Sequence, residues 1–94
     1  MKPLELIQTI PKGKVTTYKI LAEVCKKHPR AIASTMKHNK DPLNIPCYKV
    51  ISHSGKIGGY SAADGVKSKM ELLEKDGVII KNGVIDPSFF HHFL

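Results

Sequence analysis

Apolar residues first recur at Leu4, Ile7 and Ile10, three apart, as one face of a helix requires. Pro3 suits a first helical turn, where its missing N–H has no partner to lose. The spacing therefore predicts a helix over 3–9, closed by the turn Pro11-Lys12-Gly13. A second stripe runs Tyr18, Leu21, Ala22, Cys25, and Thr16 or Thr17 can cap it, which predicts a helix through about Lys26. Cys25 lies on this stripe and reads as core. After a short connection at 27–29, a third helix is predicted from about Arg30 to His38, where Ala31, Ala33, Thr35 and Met36 all tolerate helix. Two short helices a few residues apart, the second rich in small side chains, read as helix-turn-helix.

Asp41-Pro42 stops the third helix, and residues 43–51 are expected to run extended. Residues 52–62 form a loop whose Gly55, Gly58 and Gly59 permit tight backbone paths near a ligand. A fourth helix is predicted over 66–75, with Gly77 as its stop. Asn82-Gly83 between two short apolar runs predicts a hairpin with a type I′ turn, and Phe89, Phe90 and Phe93 are expected to fold onto the body. The fold class is mainly α with a short β-hairpin, a winged helix-turn-helix-like DNA-binding domain.

Ninety-four residues, 41% of them hydrophobic, fit one small domain over 1–94. No apolar run approaches the ~18 residues that cross a bilayer, and no signal-peptide pattern opens the chain. Two cysteines without close Cys/His pairing make neither a disulfide framework nor a zinc site, which fits a reducing, intracellular setting, cytoplasmic or nucleoid in a prokaryote. The net charge of +7 is uneven: residues 1–60 carry eleven Lys and Arg against three acids. That balance points to a polyanionic partner, most simply nucleic acid.

Cys47 lies in Ile45-Pro46-Cys47-Tyr48-Lys49-Val50-Ile51. Proline stiffens the backbone before the thiol, and apolar neighbours place the segment indoors. Such a cysteine is either a buried structural thiol or a positioned nucleophile.

The segment Pro46-Cys47-Tyr48-Lys49-Val50 resembles the active-site stretch of the O6-alkylguanine-DNA alkyltransferases (methylated-DNA–protein-cysteine methyltransferases), which reads Pro-Cys-His-Arg-Val. The resemblance runs from Ile10 to Asp86. It includes Pro11–Tyr18, Leu21-Ala22, Arg30-Ala31-Ile32, Asn39, Gly58-Gly59-Tyr60-Ser61, and Leu72-Leu73 ahead of Asp76-Gly77. It covers the family's DNA-binding and catalytic domain. The N-terminal domain of the larger members has no counterpart here.

The resemblance implies direct repair. The Cys47 thiolate would take the alkyl group from O6-alkylguanine in double-stranded DNA, once per molecule, with no cofactor and no metal, in a monomer without a membrane. A base inside the duplex is out of reach, so it must be flipped out. Arg30 would fill the gap in the stack, although taken alone it reads as a phosphate contact. Tyr18 would crowd the flipped nucleotide and donate to the base, although its position also suits the core. Ala31, Ala33 and Ser34 let the third helix approach the minor groove closely. Lys37, Lys40, Thr17 and backbone amides would contact phosphates. Val50, Tyr60 and Ser61 would line the pocket, with Ser61 bonding the guanine oxygen. Asn39 would brace the cysteine turn, and Lys69, or else Lys67, would support Tyr18.

One departure sets the alternatives. The family relays the thiol proton through water to a histidine oriented by a glutamate. Here those positions are Tyr48 and Asp76, with Glu74 near. A phenol with a reference pKa of about 10 is a poor base at neutrality. The reaction is then slower, or local positive charge such as Lys49 and nearby helix ends makes the thiolate. One rival is an alkyltransferase-like protein that binds and flags alkylated guanine without reacting, a class in which tryptophan usually replaces the cysteine. Another is a winged-helix regulator or nucleoid-type module with an inert thiol.

Overall fold

The computed structural model describes residues 2–41, 44–57 and 63–93, with backbone alone for 63–68. Helix α1 spans Pro3–Ile7, shorter than the predicted 3–9, because residues 8–10 close in turns onto Leu6 and Ile7. Strand β1 is Thr16–Thr17 and leads directly into α2, Tyr18–Cys25. The Thr17 hydroxyl accepts the Ile20 N–H at 3.0 Å, so Thr17 is the cap. Lys26 ends α2 in a left-handed conformation, at φ 56°. Helix α3, Pro29–Lys37, follows at once and packs on α2, as helix-turn-helix requires.

In α3, Ile32 and Met36 are buried one turn apart, while Arg30, Ala31, Ala33, Ser34 and Lys37 are exposed. The outer face is therefore small-sided, with basic residues near its two ends.

Of the stretch expected to be extended, only Val50–Ile51 is strand, and residues 44–49 turn instead. Pro46 sits at φ −76° and ψ 68°, and the Cys47 N–H donates to the Ile45 carbonyl at 2.8 Å, which is an inverse γ-turn. A 3-10 turn, Cys47–Lys49, comes next, and strand β2 is only Val50–Ile51. Proline fixed φ as expected, but ψ turned the chain instead of extending it.

β2 pairs parallel with β1, Thr16 opposite Val50 and Thr17 opposite Ile51. Consecutive strand residues face opposite sides. Accordingly Val50 enters one core cluster, with Leu6, Ile7, Leu21 and Ile32, and Ile51 enters a second, with Val15, Ile57, Leu73 and Ile85. The cysteine turn lies on the seam: Cys47 packs on the first cluster and Tyr48 on the second.

Helix α4 runs Ala63–Lys75, starting earlier than predicted, with Gly65 inside its first turn. Its end carries paired closing bonds, Gly77 N–H to Glu74 and Val78 N–H to Leu73, with Gly77 at φ 96°. Strands β3, Ile80–Lys81, and β4, Val84–Ile85, form the predicted hairpin, with Asn82 and Gly83 both at positive φ. Loop residues 55–57 are fastened to that hairpin by Ile85 N–H to Gly55 at 2.8 Å and Ile57 N–H to Gly83 at 3.0 Å. A Cβ at Gly55 would run into the Ile85 carbonyl. Phe89 and Phe90 pack on the second cluster and Phe93 on the first. The tail also bonds to Val15 through Phe89 and His91.

Candidate active site

The thiol of Cys47 is held by backbone on both sides. Before it stands the γ-turn at Pro46. After it, the Lys49 N–H donates to Pro46 at 3.0 Å and the Val50 N–H to Cys47. Asn39 locks the approach: its Nδ2 donates to the Ile45 carbonyl at 2.8 Å and its Oδ1 accepts the Asp41 N–H at 3.0 Å. These two bonds tie Asn39, just after α3, to the segment that leads into Cys47. Cys47 itself is half-buried, and both Cys47 and Cys25 are free thiols.

Lys49 and Asp76 form an arrangement the sequence reading did not foresee. Lys49 is buried, and its Nζ lies 2.7 Å from Asp76 Oδ2 and donates to the Pro11 carbonyl at 3.1 Å. The same carboxylate oxygen accepts the Gly13 N–H at 2.8 Å. Asp76 is thus engaged with the turn at 11–13 as well as facing the phenol of Tyr48. Lys49, expected to lend its charge to the thiol, is instead neutralised by Asp76. A hint lay in the pattern, since a lysine among Ile45, Val50 and Ile51 needs a partner to be buried.

Burial, then the charges of Asp76 and Cys47, push the Tyr48 phenol above its ordinary value of 10.0. Tyr48 therefore stays protonated at neutral pH. A phenol that keeps its proton is a poor acceptor for the thiol proton.

Lys69 comes from α4, which packs against the cysteine turn. It is 4% exposed, and its Nζ donates to the Val50 carbonyl at 2.7 Å. Burial lowers its pKa to about 8, and the charge of Cys47 acts in the opposite direction.

The other expected site residues divide. Tyr18 is half-buried on the first core cluster. Val50 is fully buried, so its side chain belongs to the core and its carbonyl, on Lys69, faces the site. Thr17 is 1% exposed and its hydroxyl caps α2, so it offers no side chain to a phosphate. Arg30, Ala31, Ser34, Lys37 and Lys40 are exposed. Tyr60 and Ser61, and the side chain of Lys67, lie outside the described residues. Among the described residues no three His, Cys, Asp or Glu side chains are grouped as metal ligands, and no helix is long and apolar enough to cross a membrane.

The sequence profile of the family described as 6-O-methylguanine DNA methyltransferase, DNA binding domain, matches residues 2–78. The chain belongs to this family. The chain is 46% identical over 83 residues to a bifunctional methyltransferase/endonuclease of Picrophilus torridus, covering 86% of this chain and 27% of that protein. It is 40% identical over 78 residues to a methylated-DNA–protein-cysteine methyltransferase of Methanothermobacter thermautotrophicus, covering 83% of this chain and 43% of the relative. The chain therefore spans less than half the length of these curated relatives.

Two solved structures share the alkyltransferase fold. S. pombe Atl1, in complex with damaged DNA containing O6-carboxymethylguanine, superposes with a TM-score of 0.86 at 26% identity, covering 96% of this chain and 91% of Atl1. The O6-methylguanine-DNA methyltransferase of Pyrococcus kodakaraensis strain KOD1 superposes at 0.71 with 39% identity, covering 81% of this chain and 44% of that one. The helix-turn-helix-like architecture is common to them.

Proposed function

We propose that this domain repairs O6-alkylguanine in double-stranded DNA by moving the alkyl group irreversibly onto Cys47. The observation that carries the reading is a half-buried free cysteine fixed by a γ-turn and by the Asn39 bonds, in the family's active-site segment. The Cys47 S–H gives up its proton. The thiolate forms a bond to the alkyl carbon while the carbon–O6 bond breaks, and the electron pair passes to guanine, which takes a proton from water. The thioether does not hydrolyse, so each molecule acts once. α3 presents its small outer face to the minor groove, Arg30 holds the gap left by the flipped base, and the protein acts as a monomer.

Intact-mass spectrometry after incubation with duplex DNA containing O6-methylguanine tests this. The expected result is one added methyl group per chain, mapped to the Cys47 peptide and missing from Cys47→Ala. An unchanged mass with the lesion still bound would favour a second reading, lesion binding without transfer. The likeness to Atl1 over nearly its whole length supports that second reading, and the presence of Cys47 opposes it.

Tyr48 gives a further expectation. Because its pKa is raised, the phenol holds its proton throughout the neutral range. Tyr48→Phe should therefore transfer methyl at pH 7 within about threefold of the parent, well inside the ~10²-fold typical of losing a general base. A loss of that larger size in single-turnover kinetics would make the phenol part of the proton path.

A further inference from the structure

The turn between α2 and α3 carries charge that the site around Cys47 does not use. A cleft of about 460 Å³ opens there, lined by Lys19, Glu23, Lys26, Lys27 and His28 among others. The three lysines are exposed, and among the described residues none of them is in an ion pair or a side-chain hydrogen bond. Lys14 and Lys49, by contrast, are engaged with Ser88 and with Asp76 and Pro11. Three cations around one carboxylate focus a positive field into the cleft. Lys26 is held there at a cost. It ends α2 at φ 56° and ψ 47°, and the Lys27 N–H closes the turn on the Ala22 carbonyl at 2.9 Å. Glycine or asparagine ordinarily takes that left-handed position, because a β-carbon crowds the backbone there. A lysine kept in such a conformation points to use rather than to stability.

Backbone amides are not what would hold an anion here. Pro29 has no N–H, the Arg30 N–H donates to His28 Nδ1 at 3.1 Å, and the Ala31 and Ile32 N–H groups donate to the His28 carbonyl. The side chains are left. With Nδ1 accepting, a neutral His28 carries its proton on Nε2 and offers it as a donor beside the lysines. We propose that this cleft takes one phosphate of the DNA backbone, separate from the phosphate contacts of Lys37 and Lys40. It rests on the reading that the domain binds duplex DNA, and not on alkyl transfer. The cleft precedes Arg30 at the start of α3, and Lys37 stands at the end of that helix. Nine helical residues are about 13 Å long, so α3 lying in a groove has cations for a backbone at each end.

Fluorescence anisotropy with undamaged duplex DNA, over a series of salt concentrations, tests this. Lys26→Gln combined with Lys27→Gln should bind about tenfold more weakly than the parent, and the log–log salt slope should fall by about one, the value for one phosphate. Lys75→Gln combined with Lys81→Gln removes the same charge from α4 and the hairpin, and should change affinity by less than about threefold. Equal losses in the two double variants would reduce the cleft to general basicity and overturn the proposal. A slope change near two would mean two separate contacts and overturn it as well. Lys26→Gly tests the strain. It should raise the urea midpoint, since glycine takes φ 56° without a β-carbon, and still bind duplex DNA more weakly. A more stable Lys26→Gly that binds like the parent would also overturn the proposal. A parent with no salt-dependent affinity for duplex DNA would sink the DNA-binding reading and the cleft together. A parent that binds, matched by both cleft variants, would sink the cleft alone.

Discussion

Replacing Asp76 by alanine is expected to cost about 3 kcal/mol or more of folding stability, read from urea unfolding. The substitution strands two groups together. The Lys49 ammonium, with 5% of its side chain exposed, loses its counter-charge, and the Gly13 N–H loses its acceptor. Removing one member of a buried ion pair is far more damaging than the pair's net worth, because the survivor stays charged out of water. Against a total of about 5–15 kcal/mol for a domain, that loss puts folding at risk. Asp76→Asn should lie between, keeping an acceptor for Gly13 without the charge. Lys49→Met should cost less than Asp76→Ala, since the Asp76 side chain is 15% exposed and retains the Gly13 bond. A loss below about 1 kcal/mol for Asp76→Ala would mean that water reaches Lys49 and that the pair is a surface contact.

Arg30→Ala is expected to slow methyl transfer from duplex DNA about a hundredfold while changing transfer from a free alkylguanine base by less than about threefold. Extruding a base costs a few kcal/mol, and a hundredfold corresponds to about 2.7 kcal/mol at 25 °C. The free base needs no extrusion, so an arginine whose task is to hold the vacated stack is irrelevant to it. Arg30 is exposed in the first turn of α3, where it can reach a groove. Equal slowing on both substrates would contradict this role. Lys37→Ala, at the other end of the same helix, should lower affinity for all sequences and reduce the salt slope by about one.

The parts of the fold legible beforehand were those where one local signal suffices. Asn82-Gly83 fixed its hairpin because both residues take positive φ, and Thr17 capped α2 because its hydroxyl has an N–H within three residues. Gly77 closed α4 for the same local reason. The cysteine segment was misjudged in shape, since Pro46 constrains φ and leaves ψ to the tertiary structure. In the candidate site, Cys47 and Asn39 stood out from the motif. The partners of Lys49, Asp76 and Lys69 did not, because each bond joins residues 19 to 63 positions apart. Thr17, read as a phosphate ligand, is buried at the start of α2, where its hydroxyl accepts the Ile20 N–H.

The tail has a kinetic consequence. Val15 donates to Phe89 at 2.9 Å and accepts from His91 at 2.6 Å, the Thr16 hydroxyl donates to the His91 carbonyl at 3.0 Å, and β1 then pairs with β2 next to the cysteine turn. Residues 89–91, 15–17 and 50–51 are thereby tied into one hydrogen-bonded ladder, and amide exchange in the three segments is expected to rise and fall together. Trimming the tail from residue 89 is then expected to speed amide exchange in the Cys47 turn, which follows from its place beside β2.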